Sequence, residues 1–195
     1  MNAFLKAAVL SAATLSAGLS ATSAAAADYT IDTKGAHAFV QFKIKHLGYS
    51  WLLGRFNNFE GNFSYDAAKP ETSEIEVIID TTSIDSNHAE RDKHLKGKDF
   101  LNVAKYPKAS FKSTRYIPAD GTSGTMEGIF TLHGVTKEIA FPVTKIGEGK
   151  DPWGGYRVGF EGKTVLKLSD YGIVYDLGPA SADVEIELFV EGIRQ

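Results

Sequence analysis

From residue 29 onward the chain is mostly short runs in which apolar and polar residues alternate. A period of two sends successive side chains to opposite faces of a strand. Residues 29–33 read as a short first strand, with Lys34-Gly35 as its turn. Over residues 37–45, Val40, Phe42 and Ile44 share one face, while Gln41, Lys43 and Lys45 take the other. Residues 51–57 and 59–65 follow as strands, and Gly54 and Gly61 inside them predict bends or bulges. After a turn around Lys69-Pro70, residues 74–80 set Ile75, Val77 and Ile79 on one face. Strands resume over residues 109–117 and break at Pro118-Ala119-Asp120-Gly121. Residues 125–132 and 137–144 read as a hairpin through His133-Gly134-Val135-Thr136, with Phe130 and Leu132 on one face and Ile139, Phe141 and Val143 likewise together. Residues 151–155 have strong turn chemistry. Residues 156–168 form a long strand with Phe160, Thr164, Leu166 and Leu168 on one side, and residues 183–193 align Val184, Ile186, Leu188 and Val190.

Eight or nine strands at regular spacing, with hardly a helical period between them, predict an all-β antiparallel fold, a sandwich or an up-and-down barrel. Long strands carrying glycine favour the barrel, because bending and closure remove exposed edges. About eight strands enclose either a packed core or one ligand.

One polar stretch, residues 82–111, interrupts the alternation. Asn87 with Glu90 three residues on predicts a capped helix start, and Gly97 its end. Glu90/His94 and Asp92/Lys96 fall at i,i+4. A helix of about ten residues is too short to stand alone. Leu95, Phe100 and Leu101 are its expected anchors, and the segment is expected to cover a barrel end or side.

Residues 1–27 change the picture of where this domain works. Lys6, an apolar run and a closing Ala24-Ala25-Ala26-Ala27 predict a secretory leader cut after Ala26 or Ala27. The apolar run is shorter than the roughly 20 residues of a membrane span, so no stable membrane insertion is expected. The destination would be the periplasm or the outside of a bacterial cell. Without Lys6, the 21 basic residues become 20 against 24 acidic ones, a net charge of −4. No basic stripe marks a nucleic-acid partner. The absence of cysteine removes thiol nucleophiles, disulfides and cysteine-held metals.

Candidate chemistry concentrates in the polar stretch, but its spacing is unhelpful. His88 and His94 lie six residues apart, about 600° around a helix, and so on roughly opposite faces. The HExxH arrangement is absent. Arg91 and Asp92 have no local nucleophile beside them. His37, His46 and His133 sit at expected strand ends, where turn hydrogen bonds are their simplest use. Ser83, Ser110 and Ser181 lack a G-x-S-x-G context. Gly147-Glu148-Gly149-Lys150 is not a phosphate loop and reads as a hairpin tip.

Five blocks in order carry a resemblance: HAFVQFKIKHLGYSWLLGRFNNFEG, SIDSNHAERDKHLKGKDFLNVAKYPKASFKST, TLHGVTKEI, DPWGGYRVGFEG, and the Asp170-Tyr171-Gly172 turn. Together they resemble the YceI-like proteins, a family of periplasmic polyisoprenoid-binding domains, across essentially the whole chain after the leader. The resemblance implies a lipocalin-like antiparallel barrel holding a long-chain isoprenoid lipid, a polyprenyl phosphate or the tail of a quinone. It implies no catalytic activity and no cofactor, and supplies no short motif of functional side chains.

The expected lumen lining therefore rests on alternation: Val40, Phe42, Ile44, Ile75, Val77, Ile79, Phe130, Leu132, Phe141, Val184, Ile186 and Leu188. The same residues would point inward in a barrel packed solid, so they identify a face and not a ligand. Arg91, His94, Lys45 and His46 are candidates for a mouth, where a head group would sit. An enzyme acting on a bound lipid or using a histidine-bound metal is the alternative, and a barrel serving only as a scaffold a third.

Overall fold

The computed structural model describes residues 26–195. The expected leader lies outside the described residues, except for its last two. Eleven strand segments are present: β1 (Ala27–Ile31), β2 (Phe39–His46), β3 (Ser50–Phe56), β4 (Phe59–Tyr65), β5 (Glu74–Asp80), β6 (Ile84–Asp85), β7 (Lys108–Pro118), β8 (Ser123–Leu132), β9 (Val135–Lys150), β10 (Tyr156–Lys167) and β11 (Asp183–Arg194).

These segments make eight long strands, three of them broken. β1 and β2 lie end to end along β11, with Ile31 opposite Gly192 and Phe39 opposite Phe189. β3 and β4 lie end to end along β2 and β1, and β5 and β6 along β4 and β3. Each long strand is antiparallel to its sequence neighbours, and β11 pairs back onto β1 and β2. The result is a closed eight-strand antiparallel meander.

The breaks satisfy their own backbone groups. At the first, the Gly35 N–H donates to Asp32 Oδ1 at 2.8 Å. At the second, the Asn58 N–H donates to Ser83 Oγ at 2.9 Å, and the Asp80 N–H to the Asn58 carbonyl at 3.0 Å. The third is a single 3-10 turn, Thr81–Ser83, where the Thr81 hydroxyl donates to the Tyr106 carbonyl at 2.7 Å.

Two expectations need correction. Gly54 and Gly61 are not bulge sites, for the ladders through them run without a shift. The register slips between Ser113 and Arg115 on β7 and between Gly159 and Phe160 on β10. Gly54 makes room instead: a Cβ there would sit 2.2 Å from Cζ of Phe42, whose ring lies over it. Residues 147–150 are not a hairpin tip either. They continue β9 against residues 156–159 of β10, and Asp151 makes the turn by accepting the N–H groups of Trp153 and Gly155. The hairpin at His133-Gly134 is a two-residue turn with both φ positive, 52° and 76°.

The connections divide between two poles. Residues 47–49, 86–107, 133–134 and 168–182 lie at one, called the helix pole below. Residues 66–73, 119–122 and 151–155 lie at the other, with β1 beginning and β11 ending there. The helix, α1 (Ala89–Leu95), starts one residue later than the sequence predicts. Its N-cap is His88, whose Nδ1 accepts the Arg91 N–H at 3.2 Å. Asn87 is instead a left-handed turn residue, φ 61°. Phe100 is buried beyond the helix, and Leu95 and Leu101 pack against the same core. On the far side of this pole, pairing between β9 and β10 ends at Val143 and Gly162. The segment after β10 packs here. Tyr171, 2% exposed, sits edge-on to Phe130, and its carbonyl accepts from His133 Nδ1 at 2.9 Å.

Candidate functional site: an apolar hollow through the barrel

The inner faces of the strands enclose a cavity of about 400 Å³. All twelve residues expected on the inward face line it: Val40, Phe42, Ile44, Ile75, Val77, Ile79, Phe130, Leu132, Phe141, Val184, Ile186 and Leu188. Alternation places them. Ile44, Phe42 and Val40 lie opposite Val184, Ile186 and Leu188 across one antiparallel ladder, so one face of both strands is apolar throughout. Further lining comes from Leu52, Phe56, Phe59, Phe63, Phe111 and Met126, which sequence reasoning missed. A signal was present. Leu52, Gly54 and Phe56 share a parity, as do Phe59, Gly61 and Phe63.

At the helix pole the cavity is bounded by His46, Arg91, His94, Leu95, Phe100 and Leu101. Lys45 does not line it. Next to inward-facing Ile44 it must point outward, and its ammonium lies 5.6 Å from the Trp51 ring. The β2–β3 hairpin there carries exposed Leu47, Tyr49, Trp51 and Leu53.

The polar side chains of the helix are already engaged. Ser86, 3% exposed, is the node. Its hydroxyl donates to Asp92 Oδ1 at 2.5 Å and accepts from Arg91 Nε at 2.7 Å. The second Arg91 donor goes to the Ser86 carbonyl. This knot ties α1 to the end of β6. His94 is half-exposed and lies edge-on to Phe100 and Tyr175, with centroids 4.9 and 5.4 Å away. Its Nε2 is 3.8 Å from Asp99. His88 caps the helix, so its Nδ1 lone pair is used, and the structure gives it no metal-ligand neighbours among the described residues.

A different group of potential ligands does converge. Asp32, His37 and Glu191 bring one ligand atom each within 4.8 Å of the others. A cation already occupies the centre of this group. Arg157 Nη1 lies 2.6 Å from both Asp32 Oδ2 and Glu191 Oε1, and its Nε lies 2.9 Å from Asp151 Oδ2. Hydrogen bonds from Arg157 and then His37 hold the Asp32 carboxyl down to about 2. The same three carboxylates push the Arg157 pKa up. The group reads as a clasp joining β10 and β11 to the break after β1, not as a metal centre.

The wall of the hollow can therefore supply mainly dispersion and apolar area, and the polar residues that touch it, besides those at the helix pole, are Ser64, Ser73, Glu74, Glu161 and Thr164. A comparison with known proteins agrees with this architecture. The YceI-like domain model matches residues 29–192.

The chain belongs to the YceI-like family.

A UPF0312 protein of Pseudomonas aeruginosa is 57% identical over 180 residues, covering 92% of this chain and 94% of the relative. The crystal structure of the Campylobacter jejuni YCEI protein matches with a TM-score of 0.71 at 30% identity, over 78% of this chain and 91% of that one. A polyisoprenoid binding domain from Saccharophagus degradans has the same fold, with a TM-score of 0.59 at 16% identity, over 86% of this chain and 98% of that one. The YceI-like barrel is thus shared across chains that differ widely in sequence.

Proposed function

We propose that this protein binds and carries a long-chain isoprenoid lipid, with the tail in the barrel cavity, and does so in the periplasm after its leader is removed. One observation carries the reading: a 400 Å³ cavity whose wall is the apolar face of every long strand. Membership of the YceI-like family supports it. So does the polyisoprenoid binding named for the Saccharophagus degradans domain of the same fold. The role proposed is binding, because the wall is overwhelmingly apolar.

The physics of such a site is simple. Burial contributes about 0.8 kcal/mol per apolar carbon before ordering costs. Affinity should then climb with tail length until the hollow is full, and level off beyond. A direct test delipidates the mature protein and titrates a series of isoprenoids of increasing length, reading melting temperature and retained lipid by mass spectrometry. Rising affinity with a plateau is expected. No length dependence, together with no lipid extracted from protein purified out of its native periplasm, would overturn the proposal. N-terminal sequencing of that same preparation should begin at Ala27 or Asp28.

A further inference from the structure

The β2–β3 hairpin carries side chains on its outside that the fold does not use. Leu47, Tyr49, Trp51 and Leu53 are all exposed, Tyr49 by 86%. Val174 and Tyr175, in the segment after β10, are exposed at the same pole. The segment and the hairpin meet. The Ser181 hydroxyl donates to the Lys45 carbonyl at 2.6 Å, and a Cβ on Gly48 would lie 3.6 Å from that of Ala180. Exposed apolar residues scattered singly need no explanation, but a cluster on one rim marks a contact surface.

The tip strains its own backbone. Leu47 has φ 51° and Gly48 φ 84°, and the Tyr49 N–H closes the turn on the His46 carbonyl at 2.9 Å. Left-handed backbone suits glycine and asparagine and penalises other residues. Leu47 is strained and also half-exposed, so neither turn chemistry nor the core accounts for a leucine there.

The chemistry of the tip is that of a bilayer interface. The Lys43 and Lys45 ammoniums lie 5.0 and 5.6 Å from the Trp51 ring centroid. Indole and phenol rings sit well at head-group level, and lysine is drawn to anionic lipid. From Gln41 to Asn58 there are three basic residues, Lys43, Lys45 and Arg55, and no acidic one, in a chain of formal net charge −3. Glu185 and Glu187 answer Lys43, and Asp85 lies 3.9 Å from Arg55. Residues 86–107 at the same pole add five basic residues against three acidic, and Asp170 and Asp176 offset that excess. Electrostatics therefore assists through the hairpin, while the apolar tip anchors. At the opposite pole Trp153 is exposed too, but its ring lies against the Arg157 guanidinium at 5.3 Å.

We propose that the tip of the β2–β3 hairpin is a peripheral docking surface for an anionic phospholipid bilayer, with Leu47 and Tyr49 entering the head-group layer and Lys45 facing its phosphates. The barrel lies on the membrane and does not span it by a helix, for no helix among the described residues is long and apolar enough to cross. The surface is outside the cavity, and the proposal does not depend on what the cavity holds.

The test mixes the mature protein with vesicles of phosphatidylcholine, alone or with an equal part of phosphatidylglycerol, and measures how much protein sediments with them. Neither vesicle contains an isoprenoid. Trp51 and Trp153 are the only tryptophans, so Trp153→Phe leaves Trp51 as a single reporter, and its emission should shift to the blue on the mixed vesicles. Binding should be severalfold weaker on phosphatidylcholine alone and should fall as salt rises. Lys45→Gln should lower partitioning about fivefold, the effect of one cation at an anionic surface. Leu47→Asn should lower it about tenfold through lost apolar burial. Its melting temperature should hold or rise, since asparagine accepts the left-handed turn, and this separates docking from folding. Ile146→Ser, an exposed apolar change near the opposite pole, should leave vesicle binding as it is. Wild type that stays in solution, equal binding to the two vesicles, or Leu47→Asn that binds like wild type would each overturn the docking surface. A dimer that Leu47→Asn dissociates, without vesicle binding, would overturn it too and give the tip to a second copy of the chain. None of these results touches the isoprenoid titration above, so the two readings fall separately.

Discussion

Arg157→Met would leave three acids facing each other without their cation. The methionine keeps most of the stem, so the change reads charge and hydrogen bonding more than packing. Glu191 is about a third exposed and counts for little, since water screens it. Asp32 and Asp151 are another matter, with side chains 5% and 7% exposed. A hydrogen bond to a charged group is worth about 1.5–3 kcal/mol. Neither carboxylate is left wholly orphaned, because Gly35 still donates to Asp32, and Trp153 and Gly155 to Asp151. The expected loss is therefore nearer the lower end for each, about 3 kcal/mol together. For a domain of this length that lowers Tm by about 6–12 °C. The pH dependence gives a second signature. Asp32 is held to about 2 in the fold, against an unfolded value near 3.9. A depressed carboxyl contributes its full stability above the unfolded value and loses it as pH falls through the folded one. The gap between wild type and variant should be full at pH 6 and narrow between about pH 4 and pH 2. Urea unfolding at pH 7, 4 and 2.5 measures it. Arg157→Lys, which keeps the charge but not the fork, should fall between the two. A gap under about 1 kcal/mol at pH 7, or one that widens in acid, would refute the clasp.

Gly54→Ala should destabilise by about 1–3 kcal/mol, because the new methyl enters the Phe42 ring at 2.2 Å and nears the Asp85 carbonyl at 2.9 Å. Paired with Phe42→Leu, the two losses should add to less than their sum in chemical denaturation; strict additivity would show that the ring is not what forbids the methyl. Ser86→Ala removes the hydroxyl that joins Arg91 to Asp92 inside a site 3% exposed, at a cost of about 1–3 kcal/mol. Its effect should be local, with faster amide exchange over residues 86–107 and unchanged exchange in β7 to β11. Exchange that rises evenly through the barrel would show that the helix is not an independently tethered cover.

What could be read from the chain followed from period. Eight long strands with one buried face leave a strict alternation, and the faces of β2, β5 and β11 are legible residue by residue. Where glycine replaces a side chain, the alternation is harder to see. Leu52, Phe56 and Phe63 face inward like the rest, but Gly54 and Gly61 look like interruptions in a list of apolar positions. The helix start was misplaced for a related reason. Asparagine is the commoner cap, yet Asn87 is needed at positive φ in the turn, and capping passes to His88. Ile84, 6% exposed, was lost inside the polar stretch, because a strand of two residues shows no period.

The glycines also bear on why this barrel is hollow. Eight strands enclose either an interior that side chains fill or room for one ligand. Here several large rings reach over glycines of other strands. Phe42 lies over Gly54, Phe63 over Gly192, Phe111 over Gly128 and Tyr116 over Gly124, each with a ring atom within 2.4 Å of where a Cβ would be. A ring over glycine takes the room that a Cβ would otherwise fill. The arrangement has a consequence for the empty state. At about 24 cal/mol per Å³, an apolar void of 400 Å³ would cost on the order of 10 kcal/mol, comparable to the whole net stability of a domain. A folded chain does not keep such a void empty without some compensation, either partial collapse or an apolar occupant. An apolar chain in the hollow would relieve that cost, which favours an occupied interior over an empty one.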